Sequence, residues 1–185
     1  MHAESDILSR TGGRALADVV FEADTIAARV EALGAEITAH YPDGDLLVLG
    51  LLKGSFIFMA DLVRSIYRPH QIDFLVAASY GAGTTSTGVV RLLYDPETAL
   101  AGRHILLVED IVDSGATLNR LIRVLRERRP LSLEICALLH KRIAPPLECE
   151  PRFVGFDAPP LFLVGYGLDH AEDFRHLPFI ASLKA

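Results

Sequence analysis

The sequence predicts an α/β fold, a mostly parallel central sheet flanked by helices. Continuous apolar runs at 46–52 and 104–108 are typical of strands buried on both faces. Segments with apolar residues every three or four positions, such as 26–37 and 118–125, are typical of helices with one buried face. Strands that alternate with helices indicate a parallel sheet, and ligands of such sheets bind at the carboxyl ends of the strands.

The individual elements follow from the same patterns. Helices are predicted over 24–40, which Pro42 and Gly44 end, over 54–67, which Pro69 ends, and around 118–125. The predicted strands span 46–52, 72–80, 89–94, 104–108, 131–139, 153–156 and 162–166, with a last edge strand at 179–183. Between two of them, residues 81–88 are all small or polar, which predicts a flexible surface loop.

Length and composition narrow the class of protein. The 185 residues fit one domain, with or without a small additional lobe, and a half-apolar composition supplies a core. With 18 Lys and Arg against 24 Asp and Glu, the net charge of −6 argues against bulk nucleic-acid binding. The sequence contains no run of about 18 apolar residues, so no membrane-spanning helix is predicted. The first residues lack the apolar segment of a secretory signal.

The two cysteines predict a reduced, cytoplasmic protein. Cys136 lies in an apolar run, and Cys149 has no partner at metal-ligand spacing. Neither cysteine is therefore expected to form a disulfide or a metal site.

The most informative segment is VEDIVDSGATL, residues 108–118. A buried strand is predicted to end at Glu109 and Asp110, and a helix follows the small and polar residues 113–117. Free backbone N–H groups, hydroxyls and the helix dipole at such a start form a phosphate site, and a glycine lets the backbone approach the anion. Carboxylates beside an anion would repel it unless they bind a cation or sugar hydroxyls. The segment predicts a sugar phosphate with a divalent metal; the alternative is an ordinary turn with Asp113 or Ser114 as helix cap.

This segment resembles the ribose-phosphate signature of the type I phosphoribosyltransferases. Four further landmarks point to the hypoxanthine–guanine branch of that family: LLKGSF at 51–56, SYGAGTTSTG at 79–88, LLHKR at 138–142 and FLVGYGLD at 162–169. The sequence FRHLP at 174–178 completes the set. The motifs occur in family order and cover residues 10–181, so together they are far more specific than any one of them.

The resemblance implies a single domain over 1–185, with a hood from the N-terminal segment and about 153–185 and a lid at about 79–90. It implies transfer of a phosphoribosyl group from phosphoribosyl pyrophosphate (PRPP) to a 6-oxopurine, with Mg²⁺ as cofactor. Asp113 would be the catalytic base near purine N7. The ribose and phosphate would be bound by Glu109, Asp110, Asp113, Ser114, Gly115, Ala116 and Thr117.

The resemblance also assigns the rest of the site. The pyrophosphate would be bound by Lys53, Gly54, Ser79, Tyr80 and Arg175, with a Leu52–Lys53 peptide that can be cis. The purine would be bound by Lys141, Phe162, Leu163 and Asp169, where Phe162 stacks on the base and Lys141 donates to its 6-oxo group. The metal would be held by Glu109, Asp110 and Asp169.

Taken singly, several of these residues have ordinary alternatives. Lys53 and Lys141 could be solvated, Phe162 could belong to the core, and the loop at 79–88 could be idle. A dinucleotide fingerprint in that loop is excluded, because it lacks the third glycine and precedes a strand.

Two departures from the family pattern flank the base pocket. His170 replaces a frequent Tyr, and Pro160 stands in a turn that commonly contains an acid. They leave the preference among hypoxanthine, guanine and xanthine open. The other hypotheses are a transferase for another base and a nucleic-acid-binding regulator that kept this fold. Members of the family are often homodimers or homotetramers, and we expect the same here.

Overall fold

The structure is a computed structural model that describes residues 9–14, 16–79, 90–113, 115–142 and 147–183. The helices are α1 (Ala23–His40), α2 (Phe56–Ser65) and α3 (Ala116–Glu127). The strands are β1 (Leu16–Phe21), β2 (Leu46–Leu52), β3 (Gln71–Ser79), β4 (Val90–Tyr94), β5 (His104–Val112), β6 (Ser132–His140), β7 (Phe153–Asp157), β8 (Leu163–Val164) and β9 (Ile180–Leu183).

Two sheets organise these strands. The large sheet has the order β4-β3-β2-β5-β6-β7, and all its neighbouring strands are parallel except the antiparallel pair β3–β4. A small antiparallel sheet has the order β1-β9-β8 and forms the hood. The predicted α/β class with a mostly parallel central sheet is confirmed.

Helices cover both faces of the large sheet. Leu33 of α1 and Phe58 of α2 are fully buried against one face, together with Val48 and Leu106 from the strands. On the other face, α3 buries the residues that its spacing predicted, Leu118, Leu121, Ile122 and Leu125. Parallel strands covered on both sides must be apolar throughout, which is why 46–52 reads as one continuous apolar run.

The structure corrects several predicted boundaries. β5 does not end at Glu109 and Asp110 but continues to Val112, because Ile111 and Val112 keep pairing with β6. β7, which the sequence analysis assigned to the hood, pairs with β6 in the large sheet, so the hood strands after it begin at Leu163.

The last strand was also misplaced. β9 was predicted at an edge, but it is the central strand of the hood, between β8 and β1. β1 is a strand that was not predicted from the sequence. In the part of the chain that the structure describes, no helix combines the length and apolarity needed to cross a bilayer.

Candidate active site

The site lies where β5 and β6 end and α3 begins. A cavity of about 330 Å³ opens there, and Glu109, Asp113 and Thr117 contribute its polar lining. Ala77 of β3 and Gly115 before α3 also line it. Ligands of open parallel sheets commonly bind at this position, in the crevice at the carboxyl ends of the strands.

A glycine in the left-handed region joins β5 to α3. Gly115 has φ of +70°, and its carbonyl accepts the hydrogen bond from Asn119 N–H at 2.8 Å that starts the helix. A side chain at this position would be strained and would also collide with Leu147. Ala116 is the first residue of α3, and Thr117 lies in its first turn. Ser114 and Tyr80 lie outside the described residues, as does most of the predicted lid; Ser79 is the last residue of β3.

The two adjacent acids of β5 serve different sides of the sheet. Glu109 lines the cavity, whereas the Asp110 carboxylate lies against Gly54, so close that any side chain at Gly54 would overlap it. Neighbouring residues of a strand point to opposite faces, which accounts for this division. The sequence grouped the two acids as one metal site, but the strand separates their side chains.

The surroundings of both acids disfavour the ionised form of their carboxyl groups. Burial raises the pKa of Glu109 well above its ordinary value, and the charge of Asp110 raises it further. Burial raises the pKa of Asp110 to about 6, although the Ile111 N–H and the Arg175 guanidinium favour its ionised form. Asp169 lies near enough to act against that ionised form as well. Such groups gain most from a cation beside them.

The turn after β2 presents Lys53 toward the hood. The Leu52–Lys53 peptide is cis, as the resemblance allowed. Lys53 Nζ lies 3.0 Å from Glu172 Oε2 in a pair that is largely exposed to solvent. This pair joins the large sheet to the hood across 119 positions of sequence.

Arg175 is largely buried, with 18% of its side chain exposed. One of its terminal nitrogens donates to the carbonyl of Gly167 at 2.8 Å. The other lies 2.8 Å from Asp169 Oδ1 and 3.4 Å from Glu172 Oε2. Its Nε is buried and has no acceptor among the described residues.

The residues predicted to bind the purine come from two parts of the fold, with Lys141 directly after β6 and the others in the hood. Lys141 Nζ lies 3.4 Å from Asp113 Oδ2, and the Lys141 side chain is only 13% exposed whereas that of Asp113 is 59% exposed. Phe162 is exposed rather than part of the core, and its ring meets that of His170 edge-on at 5.5 Å. Leu163 is buried in β8 and pairs with Ser182, so it packs in the hood instead of presenting a side chain to a ligand.

The acids of this site fit a divalent cation that takes most of its ligands from water and substrate rather than from the protein. Among the residues described, no three His, Cys, Asp or Glu side chains lie close enough together to hold a metal by themselves. The predicted set of Glu109, Asp110 and Asp169 is therefore not a cage. Mg²⁺ retains waters and binds substrate phosphates through few carboxylates, so isolated acids with raised pKa values fit it.

Sequence reasoning missed two residues of this region. Glu172 bridges Lys53 and Arg175, and Leu147 packs over Gly115. An exposed acid and an apolar residue in a loop carry no periodic signal. Glu172 lies between the motifs at 162–169 and 174–178 and belongs to neither. His170 was noted as a departure, and the structure puts its ring against Phe162.

Comparisons with known proteins agree with this geometry. Residues 18–171 match the phosphoribosyl transferase domain family. The chain is 46% identical over 171 residues to a hypoxanthine-guanine phosphoribosyltransferase of Dictyostelium discoideum, covering 90% of this chain and 95% of that protein. It is 43% identical over 168 residues to a hypoxanthine phosphoribosyltransferase of Salmonella typhimurium, covering 90% and 94%. A crystal structure of a hypoxanthine phosphoribosyltransferase from Staphylococcus aureus superposes with a TM-score of 0.89 at 36% identity, covering 99% of this chain and 97% of that one.

The chain belongs to the phosphoribosyltransferase family. Within that family, the relatives just named are all hypoxanthine or hypoxanthine-guanine phosphoribosyltransferases. The family and the branch that the ordered motifs predicted are thereby confirmed.

Proposed function

We propose that the protein is a purine salvage enzyme that transfers the 5-phosphoribosyl group of PRPP to hypoxanthine or guanine. The products are IMP or GMP and pyrophosphate. One observation carries the assignment: Glu109, Asp113, Thr117 and Lys141 meet at one edge of the sheet. They do so in a chain that shares 43–46% identity with such enzymes over 90% of its length.

The start of α3 would bind the 5-phosphate of PRPP. Gly115 and Thr117 line the cavity at this helix start, where free N–H groups favour an anion and the glycine would allow close backbone approach. Ser114 and Ala116 would complete this loop. Glu109, on the cavity side of β5, would orient the ribose hydroxyls.

The base would bind between Lys141 and Phe162. A lysine ammonium can donate to a 6-oxo group but faces another donor if the purine carries a 6-amino group, so adenine is disfavoured. The exposed ring of Phe162 is available for stacking, while Leu163 and Asp169 would contribute through the backbone of the hood. His170 lies against the Phe162 ring, so it bears on the choice among oxopurines.

Asp113 would be the base of the reaction. The bond from purine N9 to ribose C1′ forms while the bond from C1′ to the pyrophosphate oxygen breaks, and the purine loses one proton. The exposed carboxylate of Asp113 would take that proton at N7. Its negative charge also favours the cationic ribosyl centre that develops between the two groups.

The pyrophosphate would bind between the turn after β2 and the hood. Lys53, the backbone of Gly54 and Arg175 supply positive charge and donors there, and Ser79 and Tyr80 would close over the group. Asp110 and Asp169, which face this side, would hold Mg²⁺. When bound, Mg²⁺ neutralises the charge of the leaving pyrophosphate.

A panel of bases tests the function directly. We expect turnover of PRPP with hypoxanthine and guanine, and a rate with adenine lower by about 10³-fold or more. Excess chelator should abolish turnover and added Mg²⁺ restore it. Preferred use of xanthine would support the transferase for another base, and RNA or DNA binding without turnover would support the regulator.

We also propose a cytoplasmic enzyme that forms homodimers or homotetramers. The relative from Trypanosoma cruzi, at 35% identity and a TM-score of 0.86, is a protein whose oligomeric state has been studied. Sedimentation equilibrium across working concentrations tests the assembly, and a monomer at all concentrations would contradict it.

A further inference from the structure

Glu172 places a single carboxylate between the two cations of the pyrophosphate region. Its Oε2 lies 3.0 Å from Lys53 Nζ and 3.4 Å from Arg175 Nη2. The two cations come from different parts of the fold, one from the turn after β2 and one from the hood. Two cations that converge on one oxygen form a site for an anion, and in the ligand-free protein Glu172 fills it.

We propose that Glu172 is an internal competitor of pyrophosphate: it neutralises Lys53 and Arg175 in the free enzyme and is displaced when the pyrophosphate group binds. This inference rests on the proposed function, since the displacing anion is the pyrophosphate of PRPP or the product. It assigns Glu172 a role in setting the affinity for PRPP and the release of pyrophosphate, without contact with the reacting carbon.

The side chain of Glu172 is free to leave. It is 65% exposed, so its carboxylate can turn into water without loss of a buried environment. The pairs it makes are at the surface, where an ion pair contributes little to stability. A pyrophosphate carries more charge than one carboxylate and therefore displaces it.

The backbone around Glu172 is also held in an unfavourable conformation. Ala171 and Glu172 both have positive φ, 53° and 68°, although neither is glycine. The Glu172 N–H donates to Asp169 Oδ2 at 2.9 Å, and the same Asp169 pairs with Arg175. Release of the Glu172 carboxylate therefore removes one of the contacts that hold this strained turn.

Arg175 retains capacity for a further acceptor. Its Nε is buried without an acceptor among the residues described, although its terminal nitrogens are engaged. An anion that replaced Glu172 with several oxygens would use donors that one carboxylate leaves idle. The exchange therefore favours a polyanion over the internal glutamate.

The test uses Glu172→Gln and Glu172→Asp, with Glu31→Gln on the exposed face of α1 as the matched charge control. Calorimetry measures the Kd of pyrophosphate in Mg²⁺ at fixed ionic strength, and steady-state assays measure KM for PRPP and for hypoxanthine. Both Glu172 variants should bind pyrophosphate and PRPP about three- to tenfold more tightly, as expected for the loss of two competing surface pairs. KM for hypoxanthine and all constants of Glu31→Gln should remain at wild-type values.

The Glu172→Asp variant distinguishes direct pairing with the two cations from a long-range effect of the negative charge. It keeps the negative charge but is too short to reach both cations, so it should behave like the glutamine variant. Wild-type affinity in Glu172→Asp with tighter binding in Glu172→Gln would show a long-range field effect and overturn the inference. Unchanged or weaker binding in both variants would overturn it as well.

The proposed function is judged separately on the wild-type protein. If the wild type turns over PRPP and hypoxanthine but the Glu172 variants match its affinities, only the role of Glu172 is lost. If the wild type binds neither PRPP nor pyrophosphate, the proposed function fails and the inference fails with it. Melting temperatures near wild type confirm that the variants are folded.

Discussion

Each cation assigned to substrate binding is already paired with a carboxylate of the protein. Lys141 pairs with Asp113 at 3.4 Å, Lys53 with Glu172 at 3.0 Å, and Arg175 with Asp169 at 2.8 Å. Substrate binding is therefore an exchange of partners, and its free energy is a difference between two sets of ion pairs. Removal of either partner changes substrate affinity, which a count of contacts to the substrate alone would miss.

Asp113→Asn tests the proposed base. The amide keeps the shape of the side chain but cannot accept the purine proton, and it removes the charge that favours the ribosyl cation. General bases contribute about 10²- to 10⁴-fold. Because product release often limits turnover, we expect a loss of at least about tenfold in kcat and a larger loss in the single-turnover rate.

The binding constants of the same variant serve as its control. KM for PRPP should change little, because the proposed phosphate site is at residues 114–117, and the melting temperature should match wild type. A wild-type single-turnover rate would leave Asp113 as a side chain that only pairs with Lys141.

Lys141→Ala tests the choice of base. The variant loses the donor to the 6-oxo group, so it should weaken hypoxanthine binding by about tenfold or more while KM for PRPP changes less. Lys53→Ala is the matched control and should show the reverse pattern, with PRPP weakened more than the base. The same pattern in both variants would contradict the division of the site into a base side and a pyrophosphate side.

At the scale of elements, the start of α3 is the proposed binding site of the 5-phosphate. Gly115 cannot be changed cleanly, since its φ of +70° and its contact with Leu147 make any side chain costly for the fold as well as for binding. Thr117 is the better probe, because its hydroxyl can be removed without change of shape. Thr117→Val should raise KM for PRPP by about tenfold, the loss of a hydrogen bond to a charged group.

The exposed Thr25 in the first turn of α1 supplies the control. Thr25→Val makes the same chemical change at another helix start, and it should leave every kinetic constant unchanged. A wild-type KM for PRPP in Thr117→Val would place the 5-phosphate away from α3.

The same scale shows what a sequence can predict. The buried strands and the inner faces of α1 and α3 follow from apolar patterns, because both faces of a parallel sheet must be covered. β1 was not predicted because it is half-exposed and shows no alternation of apolar and polar residues. The central position of β9 depends on its pairing with β1, at the other end of the chain. The acids at 109–110 suggested a strand end that the ladder with β6 overrides.

The candidate site residues also divide into those that a local sequence pattern predicts and those that only folding brings together. The contiguous segment 109–117 could be assigned because its acids, small residues and helix start lie together in sequence. Glu109 and Asp110 face opposite ways because the strand continues past them, whereas a strand that ended at these acids carried no such prediction. Glu172 could not be assigned, because its role depends on two cations that only the folded chain brings together.

At the scale of the whole molecule, the site lowers the stability of the fold. Burial raises the pKa of Asp110 from its ordinary 3.8 to about 6, so the folded protein binds this proton more tightly than the unfolded chain does. The free energy of unfolding therefore falls as the pH rises through this range, and the loss is complete above about pH 7. A shift of this size corresponds to about 1–3 kcal/mol. The proposed metal site would therefore need a charge that destabilises the ligand-free protein.

Asp110→Asn should therefore stabilise the ligand-free, metal-free protein while impairing turnover. At pH 8 we expect the melting temperature to rise by about 5 °C, since 1 kcal/mol shifts a domain of this size by about 2–4 °C. The gain should shrink as the pH falls from 7 toward 4, because the Asp110 carboxyl of the folded wild type is then protonated. Thermal melts across this range measure it, with Asp43→Asn, an exposed acid at the opposite end of the sheet, as the control that should show no such gain. A gain that is the same at pH 4.5 and pH 8 would show that packing, and not the charge of Asp110, limits the stability of this site.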